Sequence, residues 1–394
     1  MKIITRTVWI LSVISLLTDT ASEILYPVLP VYLKTIGFSV VLIGILEGIA
    51  EATAGLSKAY FGKLSDLSGK RVPFVQLGYT LSAVAKPMMA LFAYPLWIFA
   101  ARTMERLGKG IRTGARDALL SDEASSENKA KIFGFHRSMD TLGAVLGPCI
   151  ALLYLYYHPQ DYIRLFYIAF IPGLLAILAS MYLKDRNKSS INKSISYSPF
   201  QWARYWKESP DAYKRLIAGL LLFALINSSD VFLILKAKES GISDTYVIGL
   251  YIFYNLIYAL FSYPAGVLAD RTGLKKVFIS GLVLFSAVYF GMAFADNLYG
   301  FLLMFVIYGI YAAGTEGISK AWISNITDRK DTATAIGLYA GLQSVATMIA
   351  SSLTGAIWYS FGASAAFIFI AFMTLLVVVY LIIWGPTTEQ DSVR

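Results

Sequence analysis

With a single cysteine, Cys149, and two histidines, the 394-residue chain has no material for a disulfide framework and little for a metal centre or a histidine-based catalytic site. Charge is scarce as well: Asp, Glu, Lys and Arg make up 15% of the residues, and a polar domain that would carry a nucleic-acid surface is missing. What remains is oil. Hydrophobic residues reach 57% and mean hydropathy is +0.61, the composition of a membrane protein. The first apolar run is not followed by a small-residue cleavage site and a polar mature region, so it reads as a retained span. Cys149, beside Pro148 in an apolar run, reads as a packing residue.

Apolar stretches of about 20 residues, the length that crosses a bilayer, fall at 8–32, 40–60, 72–92, 95–118, 132–156, 162–183, 214–236, 244–266, 277–294, 298–322, 333–357 and 363–384. The chain is therefore expected to be an all-α membrane protein of twelve transmembrane helices. The net charge of +9 has a topological reading. The loops "LSDLSGKR", "SDEASSENKAK", "ADRTGLKK" and "ITDRKD", with the polar stretch 184–213 and both termini, gather the Lys and Arg on one side, while "AYP", "YHPQDY" and "FADN" have almost none. That basic side is expected to be cytoplasmic, in an inner membrane. The polar stretch divides the chain into a bundle at 1–183, a linker at 184–213 and a second bundle with a short tail at 214–394. Phe200 to Trp206 reads either as a short interfacial helix or as loose linker.

The two parts echo each other. "GKLSDLSGKR" at 62–71 returns as "GVLADRTGLKK" at 266–276, so that Gly62, Asp66 and Gly69 become Gly266, Asp270 and Gly273 after an interval of 204; Lys34 and Gly37 return as Lys238 and Gly241. A duplicated six-span unit implies alternating access around a site between its copies.

The paired loop resembles the signature of the major facilitator superfamily, a transporter family, and the resemblance covers essentially the whole chain. It implies two pseudo-symmetric six-helix bundles, with Asp66 and Asp270 latching the cytoplasmic face. Leu67 stands where the second copy has Arg271, which leaves Lys70 and Arg71 to serve the first latch. The fourth span resembles the family's arginine signature through Arg102, Gly108 and Asp122, and Arg102 thereby inherits a link to proton transfer. "GAVLGP" at 143–148 resembles, in part, the fifth-span motif of drug/proton antiporters, since the downstream glycines are absent.

The residues themselves point to where the chemistry lies. "ARTMERLGKGIRTGARDALLSD" at 101–122 sets Arg102, Arg106, Lys109, Arg112 and Arg116 at steps of three or four, one stripe on a helix. Arg106 is expected near mid-membrane, where an unpaired cation costs roughly 2.5 to 3.5 kcal/mol, so it must be paired or wet. Asp19 and Glu23, and again Glu47 and Glu51, are four apart and share a helix face; with Glu105 and Asp140 they are either proton carriers or structural partners of the basic stripe. Arg106 and Lys109 are open to two readings, a substrate anion site or an ion-pair lock to Glu47, Glu51 or Asp140. Arg137 lies one turn before Asp140, and His136, at the start of its helix, reads as a neutral interface residue.

In the second half Asn227 and Asp230 share a face of the seventh span and correspond, at the 204 interval, to Glu23 and Tyr26. Tyr26, Tyr251, Tyr254, Tyr258 and Tyr311 are candidate cavity residues. Glu316 and Lys320 have the spacing of an intrahelical pair, a structural gate. No nucleophile and base stand together, so no enzyme and no cofactor are expected. The leading expectation is a monomeric, proton-coupled antiporter exporting small amphipathic or organic molecules, working with protons, a small-molecule substrate and the lipid bilayer and without nucleic acid. The alternative is a symporter or facilitator for a small anionic nutrient or metabolite.

Overall fold

The computed structural model describes residues 4–26, 28–185, 201–242 and 244–387, so that half of the polar stretch 184–213 lies outside the described residues. Among them every regular element is helical: α1 Arg6–Leu25, α2 Leu29–Thr35, α3 Val40–Ser68, α4 Val72–Leu91, α5 Pro95–Asp122, α6 Lys129–Tyr157, α7 Tyr162–Ser180, α8 Gln201–Glu208, α9 Asp211–Ala224, α10 Val231–Glu239, α11 Asp244–Thr272, α12 Leu274–Met292, α13 Leu298–Ala313, α14 Glu316–Asn325, α15 Thr332–Phe361 and α16 Ala363–Trp384. Eight helical stretches are long and apolar enough to cross a membrane: α1, α6 with its leading turn, α7, α11, α12, α13 with α14, α15 and α16. The protein is thus an all-α, multi-pass membrane protein. Helices α3 and α5 have the length but carry too many charged residues to count among them.

Three spans expected to be continuous are broken. The first stops at Leu25 and restarts at Leu29, with a proline in the opening turn of α2 where no N–H is required. The seventh unwinds between Ala224 and Val231 across Asn227, Ser228, Ser229 and Asp230. These short polar side chains compete with helical hydrogen bonding: Ser229 Oγ accepts from Val231 N–H, and Ser229 N–H donates to Ser351 Oγ at 3.1 Å. The tenth breaks at Gly314 and Thr315, whose hydroxyl turns back to Tyr311 O at 3.0 Å.

The repeat is written in the backbone. Gly37 and Gly241, after α2 and α10, have φ of +93° and +83°; Gly69 and Gly273, after α3 and α11, have +65° and +105°. Each pair is separated by the same 204 residues, and a side chain is strained in all four conformations.

The contacts define two compact units. The first comprises Met1–Glu123, Met139–Lys207 and Asp328–Gly341; the second comprises Ala124–Ser138, Glu208–Thr327 and Leu342–Arg394. In the first, α5 is packed between α3 and α4 through small residues: a Cβ on Gly78 would stand 2.6 Å from Gly108 O, and one on Gly110 would strike Ser57 Oγ. A buried apolar cluster around Ile24, Leu33, Ile98 and Phe166 closes the other end. The second unit packs α12 against α13 and α16, with Phe223, Phe285, Tyr289 and Phe367 in ring contact. Helix α8 forms, with Tyr205 buried. Cys149 is not a core residue: it is exposed on α6, on the same face as Leu146, Ile150 and Leu153, which is a lipid-facing stripe.

Candidate transport site

The basic stripe of α5 finds its partners on both neighbouring helices. Lys86 of α4, with no exposed surface, places Nζ 3.5 Å from Glu105 Oε1 and donates to Ser82 O at 3.1 Å. Glu105 is bound by Arg102, whose Nε and Nη2 grip Glu47 of α3 in a two-pronged contact at 2.9 and 2.7 Å. Arg106 follows, 3.8 Å from Glu47 and 3.0 Å from Glu51. The result is a ladder of alternating sign, Lys86, Glu105, Arg102, Glu47, Arg106, Glu51. Each charge inside the ladder lies between two of opposite sign, which is what permits charge in a dry interior. The ladder also runs from dry to wet: the side chains of Lys86, Glu105 and Arg102 are 0%, 8% and 9% exposed, those of Glu47 and Glu51 34% and 52%.

Lys109, one turn beyond Arg106, is exposed, within electrostatic reach of Arg106, Glu51 and Asp19. Arg112 is buried against the Tyr79 ring at 4.7 Å and donates to Ser82 Oγ at 2.5 Å. Arg116 pairs with Asp117 at 2.9 Å and reaches Ser15 Oγ at 3.5 Å.

A second line of acids belongs to α1 and α6. A Cβ on Gly143 would lie 2.9 Å from Asp19 Cβ, and one on Gly147 would lie 2.6 Å from Glu23 Cβ, so these two glycines let α6 close onto the acidic face of α1. Asp140, one turn before Gly143, accepts a hydrogen bond from Ser15 Oγ and is in hydrogen-bond contact with Asp19. Glu23 Oε2 is buried and has no hydrogen-bond partner.

The repeated loops act on helix starts. Asp66 accepts from the N–H of Ala333 at 3.4 Å, and from the N–H and hydroxyl of Thr334, both at 2.7 Å, at the N-terminus of α15. Arg71 grips Asp66 at 2.8 Å and Asp122 at 3.0 Å and donates to Arg329 O. Asp270 does the same for α6, accepting from the N–H of Ala130 at 3.0 Å and of Lys131 at 2.8 Å. A carboxylate at a helix N-terminus satisfies orphan N–H groups and meets the positive end of the dipole. Lys70, expected to share this work, is exposed, and among the described residues it forms no ion pair. Arg271 is exposed on the last turn of α11.

In the second unit Asp230 sits at the start of α10 and accepts from Tyr308 Oη at 2.6 Å and Tyr254 Oη at 3.3 Å. Asn227 donates to Tyr311 Oη at 3.4 Å. Arg137 lies over the Tyr258 ring at 5.1 Å, donates to its hydroxyl, and reaches Glu316 at 3.8 Å. Glu316, the first residue of α14, thus has Arg137 of another helix as an ion-pair partner, which its spacing to Lys320 did not point to. Tyr26, at the end of α1, is half exposed. His136 lies within α6, two turns past its start, and is buried.

Several participants carry no sequence signal of their own. Ser15, Thr334 and Tyr308 are ordinary residues of apolar spans, and Asp185, which accepts from the N–H of Arg71 and Val72 at 2.8 and 3.0 Å, is one acid in a polar stretch. Lys86 is a cation in an apolar run, yet its partner depends on the packing of α4 on α5. Among the described residues no group of three or more His, Cys, Asp or Glu is arranged to hold a metal.

The profile of the Major Facilitator Superfamily matches residues 11–253 and 216–394. An uncharacterized MFS-type transporter of Methanocaldococcus jannaschii is 32% identical over 361 residues, 90% of this chain and 89% of the relative. Two solved structures share the fold: the human organic anion transporter MFSD10, TM-score 0.79 at 19% identity over 95% of this chain and 99% of that one, and the Escherichia coli fucose:proton symporter, TM-score 0.78 at 13% identity over 96% and 98%. Helices without a catalytic centre, a charge ladder inside them and two acid-capped loops in a 204-residue repeat find their explanation in these matches: the chain belongs to the major facilitator superfamily, non-catalytic secondary transporters of the membrane.

Proposed function

We propose that the protein carries a small organic anion together with a proton, by alternating access between two six-span bundles of a twelve-span fold. The bundles are 1–183 and 214–394, joined by the linker 184–213; the basic loops and both termini are cytoplasmic, in an inner membrane, and the working unit is a monomer. The three broken spans then count once each, and α3, α4 and α5 cross the membrane as charged spans.

The observation that carries the reading is the charge balance of the first unit. Lys86, Arg102, Arg106, Lys109, Arg112 and Arg116 face Asp19, Glu23, Glu47, Glu51, Glu105, Asp117 and Asp140, six cations against seven carboxyl groups. One proton, held where Asp19 meets Asp140, makes the cluster neutral. Lys109 is the exposed cation of the set. An anion that docks on Lys109 and Arg106 displaces Glu51 as their counter-charge, and a displaced carboxylate in a low-dielectric site takes a proton. Binding the anion and binding the proton therefore favour each other, which is symport. The acid-capped starts of α6 and α15 serve as the latch that must open for the cycle to turn, with Asp66, Arg71 and Asp270 as its working parts.

The test is uptake of a panel of radiolabelled monocarboxylates into proteoliposomes by the wild type and by Lys109→Gln. The variant is expected to lose at least about ten-fold in uptake, the worth of one charge-assisted contact of 1.5 to 3 kcal/mol, while melting at the same temperature. Uptake equal to the wild type overturns the role of Lys109.

A second reading, export of an amphipathic molecule against protons, draws on the tyrosines that surround Asp230. Opposite movement of solute and proton would establish it.

A further inference from the structure

At the basic end of α12 and α16 there is an open groove of about 410 Å³ lined by Lys275, Lys276, Ile279, Ser280, Ile382 and Thr387. We propose that this groove binds the headgroup of an anionic phospholipid, with the acyl chains lying along the outer faces of the same two helices.

The two lysines differ in what they do. Lys275 Nζ donates to the carbonyl oxygens of Ile382 at 3.0 Å and Gly385 at 2.8 Å, closing the C-terminal end of α16 and fixing one wall of the groove. Lys276 is exposed, and among the described residues no acidic side chain forms an ion pair with it. Ser280, one turn on, gives its hydroxyl to Lys276 O at 2.9 Å, which leaves the oxygen lone pairs and the ammonium turned to the same opening.

The surroundings are those of a lipid and not of a free anion. Beyond the lysines the groove wall is Ile279 and Ile382, and exposed apolar residues continue along both helices: Val283 and Phe290 on α12, and Leu376, Val379 and Ile383 on α16. In a membrane-spanning helix pair such faces meet acyl chains. Trp384 ends α16, 57% exposed, at the depth where amphipathic rings mark the headgroup layer. A cation at that depth with an apolar track below it matches a phosphate ester with two chains; it does not match a soluble phosphate, which has nothing to offer Ile279 and Ile382. Basic pockets between spans at the membrane surface recognise anionic headgroups on these terms.

The experiment uses the full-length protein in vesicles of phosphatidylcholine with spin-labelled phosphatidylglycerol or spin-labelled phosphatidylcholine as the probe, reading the motionally restricted fraction of each. The wild type is expected to prefer phosphatidylglycerol, and Lys276→Gln to lower that preference by about five-fold, the worth of one lysine at the surface. Lys276→Arg should keep it. Lys276 caps nothing, so the variant is expected to fold; its melting temperature in neutral lipid is the control. Equal preference in wild type and Lys276→Gln overturns the proposal, as does full displacement of the labelled lipid by millimolar inorganic phosphate, which would make the groove a free-anion site.

Discussion

At the scale of single residues the ladder on α5 sets sharply different tasks for chemically similar groups. Lys86 and Glu105 lie at its dry end, and removing Glu105 leaves Lys86 as an uncompensated buried charge. Glu105→Gln is expected to lower stability by about 3 to 5 kcal/mol, read as a fall in melting temperature in detergent. Glu51, at the wet end and 52% exposed, is expected to cost little stability when changed to Gln. Glu23 is different again. Its Oε2 is buried without a partner, beside the glycine contact that seals α1 to α6, so the neutral isostere fits the site. Glu23→Gln should leave the fold and solute exchange intact while proton-driven accumulation drops at least about ten-fold; accumulation at the wild-type rate would remove Glu23 from the coupling group. The charges were legible as charges, because any Arg, Lys or Glu in an apolar run stands out. Their pairing was legible only within a helix: the spacing of Glu47 and Glu51 announced one face, whereas Lys86 with Glu105 depends on how α4 seats on α5, and no spacing carries that.

At the scale of elements, glycines decide which helices touch. Gly143 and Gly147 bring α6 against the backbone of α1, where a Cβ would stand 2.6 Å from Leu16 O and from Glu23 Cβ. Gly143→Val is expected to cost about 1 to 3 kcal/mol by overpacking and to separate Asp19 from Asp140, so that proton coupling fails along with stability. Unchanged melting and coupling would show that α1 yields without consequence. The capped helix starts give a matched pair of tests. Asp66→Ala and Asp270→Ala each remove a cap worth about 0.5 to 2 kcal/mol, from α15 and α6 respectively, and each should raise cysteine accessibility at the neighbouring helix start while reducing turnover; unaltered accessibility in both would deny the caps a role in the cycle. Helix positions were legible from length and hydropathy, and the glycines were legible as a repeat, though not the left-handed turns they make. The breaks at 225–230 and 314–315 were not, because a run of Asn, Ser and Asp inside an apolar stretch reads equally as a polar face. Glu316 and Lys320 do lie on one continuous helix, α14, but no spacing within it could show that Arg137 of α6 stands 3.8 Å from Glu316.

At the scale of the whole molecule the charge is unevenly placed. The first unit holds the ladder and the carboxyl contact; the second holds Asp230 among tyrosine hydroxyls and the Arg137 contact with Tyr258 and Glu316. Coupling chemistry is therefore assigned to one half, and a carrier of this kind needs only that ligand and proton shift the populations of its two states. The measurement that tests this most directly is proton movement in proteoliposomes loaded with a pH-sensitive dye, after an inward gradient of a transported organic anion is imposed with the membrane potential clamped. The account predicts that the lumen acidifies as the anion enters, and that Glu51→Gln abolishes the acidification while exchange of the anion persists. A lumen that turns alkaline as the solute enters, or anion entry with no proton movement, would contradict it.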